Sequence, residues 1–163
     1  MGKATSGKLK GTTSAKAWKM LLDGKSYKEI GDAIGRTTTA IKVFSGNKYR
    51  KEADILWSLQ IRSVGSCEVC GTTTAQLNAH HILEKSVWLN LRHDLSNGIC
   101  LCVQHHTFSR DCCPHGNLPA IEAFMDWLKE FRPGVWEWYL EHKEDKRRHE
   151  VDYELAYNEL KVI

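Results

Sequence analysis

Two short pairs of metal-favouring side chains constrain this chain more than anything else in it. Cys67 and Cys70 are separated by two residues with Gly71 behind them, and Cys102 and His105 repeat that spacing further along. The spacing lets two soft or borderline ligands converge on one ion, and the glycine permits the turn that brings them round. Alone, Cys67 and Cys70 read equally as a redox motif or as buried thiols. The second pair, whose members share one face if a helix starts there, selects a closed tetrahedral Zn2+ site. Four protein ligands leave no open position, so this zinc is expected to be structural. Cys100 alternates with Ile99 and Leu101 and reads as core. Cys112, Cys113 and His115 lack an evident fourth ligand and read as packing residues.

The segment between the two pairs carries the chemistry. Ala79-His80-His81-Ile82 ends a strand-like run from Gln76; Asn97 follows sixteen residues after His81, and His106 nine after Asn97, inside "NGICLCVQHH". From Ser66 to Arg110 this pattern resembles the HNH (ββα-metal) endonucleases. In that family two strands and a helix surround one catalytic divalent ion, and a zinc often staples the same element. The resemblance implies that His81 is the general base, that His80 and His106 hold the catalytic ion, and that Asn97 orients the loop and the base. Many members carry Asp at the place of His80. An imidazole there widens the choice of ion to Mg2+, Mn2+, Ni2+ or Zn2+. Neighbours on a helix point about 100° apart, so His105 can face the zinc and His106 the catalytic ion. Neighbours on a strand point to opposite faces, so His80 and His81 are expected to need a strand end or a bulge to reach one phosphate.

Upstream lies a basic head. Residues 1–51 hold twelve Lys/Arg against three Asp/Glu, although the net charge of the whole chain is only +3. Such asymmetry points to a polyanion. Residues 1–13 read as a basic disordered tail. Residues 14–50 read as three short helices: one from Ser14 to Gly24, one opened by the capping box Ser26-Tyr27-Lys28-Glu29, and one capped by Thr37. "SYKEIGDAIGRTTTAIK" resembles the small helix-turn-helix modules of bacterial and phage DNA-binding proteins. That likeness implies that Arg36, Thr37, Thr38, Thr39 and Lys42 meet double-stranded DNA. Arg62, Lys85, Arg92 and Arg110 are further candidates for phosphate contact, with Arg110 expected one helical turn past His106.

Residues 51–65 read as a separate linker helix with Ile55, Leu56, Leu59 and Ile61 on its apolar side. Residues 66–111 form the expected nuclease core. Residues 112–163 form a helical C-terminal region in which Pro119 opens one helix and Pro133-Gly134 separates it from an aromatic second. No apolar run is long enough for a membrane span, and the polar N-terminus gives no secretion signal. The expected setting is therefore intracellular, in a bacterial or phage-infected cytoplasm. The expected fold is α+β and mostly helical. The expected activity is a site-preferring nicking endonuclease of homing or phage type, acting as monomer or dimer. The alternatives are a structure-specific nuclease of phage recombination or packaging, and a non-catalytic zinc-stabilised DNA-binding regulator.

Overall fold

The computed structural model describes residues 7–146 and 151–162, so residues 1–6 of the basic tail and 147–150 and 163 of the C-terminal region lie outside it. The fold is α+β and mostly helical, with one two-stranded sheet. Helices α1 (Gly11–Leu22), α2 (Tyr27–Ile34) and α3 (Thr38–Arg62) precede strands β1 (Leu77–His81) and β2 (Gly98–Cys102). A π-helical turn (Gln104–Phe108) follows, then α4 (Leu118–Phe131), α5 (Pro133–His142) and α6 (Tyr153–Val162). Two compact units form: Met1–Ala53 with Tyr153–Ile163, and Asp54–Asp152.

In the first unit, Ser26 and Glu29 exchange hydrogen bonds as a capping box opening α2, and Gly35 closes it in the left-handed conformation. Gly31 must lack a side chain, because a Cβ there would lie 2.7 Å from the Arg36 carbonyl oxygen in the turn. Thr37 Oγ1 accepts from Ala40 N at 3.1 Å and starts α3. The core of this unit is Leu9, Ala17, Leu21, Ile30 and Ile41. Burial of Leu9 and a helix start at Gly11 correct the reading of residues 7–13 as tail.

Two other boundaries differ from expectation. The third helix and the expected linker at 51–65 are one continuous helix of 25 residues. Gly46 is the only glycine or proline in that interval, and its cost of about 1 kcal/mol does not stop propagation. Residues 112–163 also divide, because α6 belongs to the first unit. There Tyr157 meets Trp18 and Tyr49 edge-on or tilted, at 6.0 and 5.5 Å, and Tyr49 Oη donates to Glu154 at 3.0 Å.

The second unit is built on the β1–β2 hairpin, antiparallel and in unbroken register from Leu77↔Cys102 to His81↔Gly98. All of β2 is buried. Ile99, Leu101, Phe124 and Leu128 form its core, with Trp127, Val135 and Trp136 packed outside them. The aromatic C-terminal helices thus supply apolar cover. The C-terminal half of α3 buries Ala53, Trp57 and Ile61, at one-turn intervals, while Ile55 and Leu59 are exposed. Of the expected apolar side, Ile61 is buried and Leu56 half-buried, while Ile55 and Leu59 face outward.

Gly98 is fixed by this packing. A Cβ on it would overlap the Ile61 side chain and stand 2.9 Å from Trp57 Cζ2. Gly98→Ala should therefore cost about 1–3 kcal/mol, the usual range for overpacking a filled core. Denaturant unfolding checks this, and an unchanged midpoint would show the contact to be soft.

Candidate metal centres and the His81 loop

The knuckle that presents Cys67 and Cys70 is closed by its own backbone. Gly71 N donates to Cys67 O at 2.7 Å and Cys67 N to Thr72 O at 2.9 Å, with Gly71 at φ 71°. Glu68 ties it to β2: its amide donates to Cys100 O at 2.9 Å, and its carboxylate accepts from Cys100 N at 2.7 Å. The other Glu68 oxygen pairs with Arg132. The knuckle is thereby held beside Cys102, at the end of β2.

Among the described residues, two groups of side chains could hold a metal ion. The ligand atoms of Cys67, Cys70, Cys102 and His105 all lie within 4.8 Å of one another. His105 Nδ1 is 3.3 Å from Cys102 Sγ and 3.8 Å from Cys67 Sγ. Tetrahedral bonds of about 2.0–2.3 Å set ligand atoms about 3.3–3.8 Å apart, so this donor set fits a closed site. At Cys67 burial raises the thiol, but hydrogen bonds from the backbone at Cys102, Cys70 and Val69 outweigh it and hold the thiol below its ordinary value.

The second group is His80, His106 and His115, again within 4.8 Å. Its rings meet edge-on, with centroids 5.4 Å apart for His80–His106 and 4.9 Å for each pair with His115. Phe124 stands against His80 at 5.9 Å. Burial, with His115 and His106 beside it, pushes the His80 imidazole down to about 3, leaving it in the neutral form that ligates metals. Three ligands leave coordination positions open, unlike the four-residue group.

Sequence reasoning missed His115 as a potential ligand, setting it aside with Cys112 and Cys113. Neither cysteine joins a metal group; Cys113 is buried and Cys112 packs on the core. His115 lies beyond the π-helical turn, in a loop without periodicity, so spacing gave no signal. The turn itself places His105 and His106 in different groups. Its wide form is marked by the Ser109 N to Gln104 O bond at 2.8 Å.

His81 is in neither group. It alternates with His80 along a strand paired without a bulge, and it is the last residue of that strand, the strand end that the sequence offered as one alternative. Its ring stacks on Trp57, with centroids 3.7 Å apart and planes 14° from parallel. Nε2–H donates to the Arg92 carbonyl at 2.9 Å. Burial pushes its pKa down to about 4, so the ring is neutral. Asn97 is fully buried and clamps the loop after β1: Oδ1 accepts from Leu83 N at 2.7 Å, and Nδ2 donates to Leu83 O and Leu91 O at 3.0 Å each.

The cationic candidates fare unevenly. Arg92 grips Asp54 through Nε and Nη2, each at 2.7 Å, which corrects its reading as a phosphate clamp. Burial raises the Asp54 carboxyl, but the hydrogen bonds from Arg92 and His93 overcome this and hold it far below the usual range. Arg62 Nε caps Ser58 O at 3.1 Å. The π-helical turn ends at Phe108 and Ser109 is extended, so Arg110 is exposed but not one helical turn past His106. In the first unit Thr38, Thr39 and Lys42 are exposed on α3, Arg36 is half-buried, and the Thr37 hydroxyl is used in the cap.

Compared with known proteins, the chain matches no family model, no curated protein and no solved structure. No helix among the described residues is long and apolar enough to cross a membrane.

The two metal groups make separable predictions. Cys102→Ser should abolish tight binding of one ion and remove most of the second unit's stability, because closed-site binding energy is folding energy. His115→Ala should leave that ion and the melting temperature nearly unchanged. It should weaken a second ion by at least about 10–100-fold, the effect of losing even a supporting partner. Metal analysis with calorimetric titration distinguishes the two; equal loss in both variants would contradict separate sites.

Proposed function

We propose that this protein is a metal-dependent DNA endonuclease of the HNH (ββα-metal) type, with a structural zinc at Cys67, Cys70, Cys102 and His105. The observation that carries the reading is the open three-histidine group beside His81, on a hairpin whose loop is clamped by Asn97. These are the positions at which the sequence resembles that family, and His115 completes the donor set.

The alternation of His80 and His81 suits phosphodiester hydrolysis. In-line displacement puts the attacking water and the departing oxygen on opposite sides of phosphorus. A base and a metal group on opposite faces of one strand end meet that requirement. His81 accepts the water's proton on Nδ1, since Nε2 already carries the proton given to Arg92 O. Water oxygen bonds to phosphorus as the bond to the 3′ oxygen breaks, and that oxygen takes a proton from solvent, leaving 5′-phosphate and 3′-hydroxyl ends. His80, His106 and His115 would hold a divalent ion, which when bound would supply Lewis-acid stabilisation of the phosphate and the departing oxygen. Asn97 holds the loop so that the geometry is preformed.

The non-catalytic, zinc-stabilised DNA-binding regulator is the second reading. One observation favours it: the His81 ring is stacked under Trp57 and half-buried. A plasmid-nicking assay with and without divalent metal separates the two. Metal-dependent nicking is expected, and His81→Ala should lower its rate by about 10²–10⁴ with DNA affinity retained, as loss of a general base does. No nicking by the parent protein in any divalent metal would leave the regulator.

For the head we propose double-stranded DNA as the partner, read by the start of α3. Lys42→Ala and Arg36→Ala should weaken binding and flatten its dependence on salt, by about 0.9 in the log–log slope for each phosphate no longer neutralised. Unchanged slopes, measured by fluorescence anisotropy over a salt series, would exclude these side chains from the interface.

A further inference from the structure

We propose that Asp54 and Trp57 are the positioning residues of His81, fixing its ring plane and choosing which ring nitrogen faces the reaction; the proposal rests on the endonuclease reading above. The Arg92 carbonyl can only accept, so the 2.9 Å bond from His81 Nε2 requires the proton on that nitrogen and leaves the lone pair on Nδ1. The carbonyl belongs to the peptide joining Arg92 to His93. One carboxylate holds the side chains on both sides of that peptide. Asp54 accepts two bonds from Arg92 at 2.7 Å and one from His93 Nε2 at 2.9 Å. Turning the carbonyl away from His81 requires breaking charge-assisted bonds on both sides.

Trp57 acts on the next residue and on the ring itself. Its Nε1–H donates to the Asp94 carbonyl at 2.8 Å, while its face covers His81 at 3.7 Å. Asp54 and Trp57 lie one turn apart on α3, so a single helical face holds residues 92–94 in sequence. Gly98, the strand partner of His81, has no side chain to obstruct the indole. These contacts are made to His81 and to residues 92–94 rather than to the three-histidine group. Their effect passes through the orientation and tautomer of His81.

The test uses the full-length, metal-loaded protein with 15N-labelled histidine. Long-range 1H–15N spectra give the His81 tautomer, and plasmid nicking gives kcat and KM. The parent should show His81 protonated on Nε2 alone. Asp54→Ala should show mixed tautomers and a kcat lower by up to about 10²-fold, the cost of a small misplacement, with KM and metal content held. Asp54→Asn, which keeps the side-chain shape, should fall between, and it carries the test if the alanine variant does not fold. Trp57→Phe, which keeps the stack, should be milder than Trp57→Leu. A single Nε2 tautomer with parental kcat in Asp54→Asn and Asp54→Ala would overturn the proposal. If the parent does not nick DNA, the tautomer still decides: fixed in the parent and mixed in the Asp54 variants supports positioning, and the same in all three overturns it.

Discussion

The convergence of Cys67, Cys70, Cys102 and His105 is the constraint on which the second unit depends. A two-stranded sheet is marginal in water by itself. Here β2 is buried on the core and its C-terminal residue, Cys102, is also a potential ligand. The knuckle that brings Cys67 and Cys70 to it is bonded to β2 through Glu68. Once His105 is held in that group, its neighbour His106 is directed elsewhere by the geometry of the π-helical turn. Fixing one histidine therefore aims the other, so the four-residue donor set orients the three-histidine one.

The opposite side of the hairpin follows a different logic. His80 stands among imidazoles and Phe124, whereas His81 lies against Trp57 with its Nε2 proton committed to a backbone carbonyl. Strand alternation separates two chemically identical side chains into two environments. Asn97 closes the connecting loop from within, where a buried amide with three satisfied bonds is rigid. The hydrolytic function proposed for this site needs both properties: open coordination on one side and an oriented, neutral base on the other.

Short-range chemistry made the Cys/His pairs, the capping box and the two strands legible in the sequence, because each is specified by residues a few positions apart. What escaped is non-local or depends on packing. His115 reaches His80 and His106 through a loop with no period. Asp54 on α3 and Arg92 in the loop between the strands are partners, and no local pattern announces a salt bridge of that span. The separation of α3 into reader and linker failed because no strong breaker lies between them. Ile61 was legible on the apolar side of α3, but Ile55 and Leu59 prove exposed and Ala53 buried, since aliphatic character alone does not say which face finds a partner. The basic head was legible as charge, but not as a unit completed by α6 from the far end of the chain.

The central claim is that one hairpin and one π-helical turn serve two distinct metal sites. Anomalous diffraction from crystals grown with zinc and then soaked in manganese tests it most directly. The account predicts a zinc peak bonded at about 2.3 Å to the sulfurs of Cys67, Cys70 and Cys102, with His105 as fourth ligand. It predicts a separate manganese peak among His80, His106 and His115. A manganese peak at His81, or no second peak at saturating metal, would contradict it.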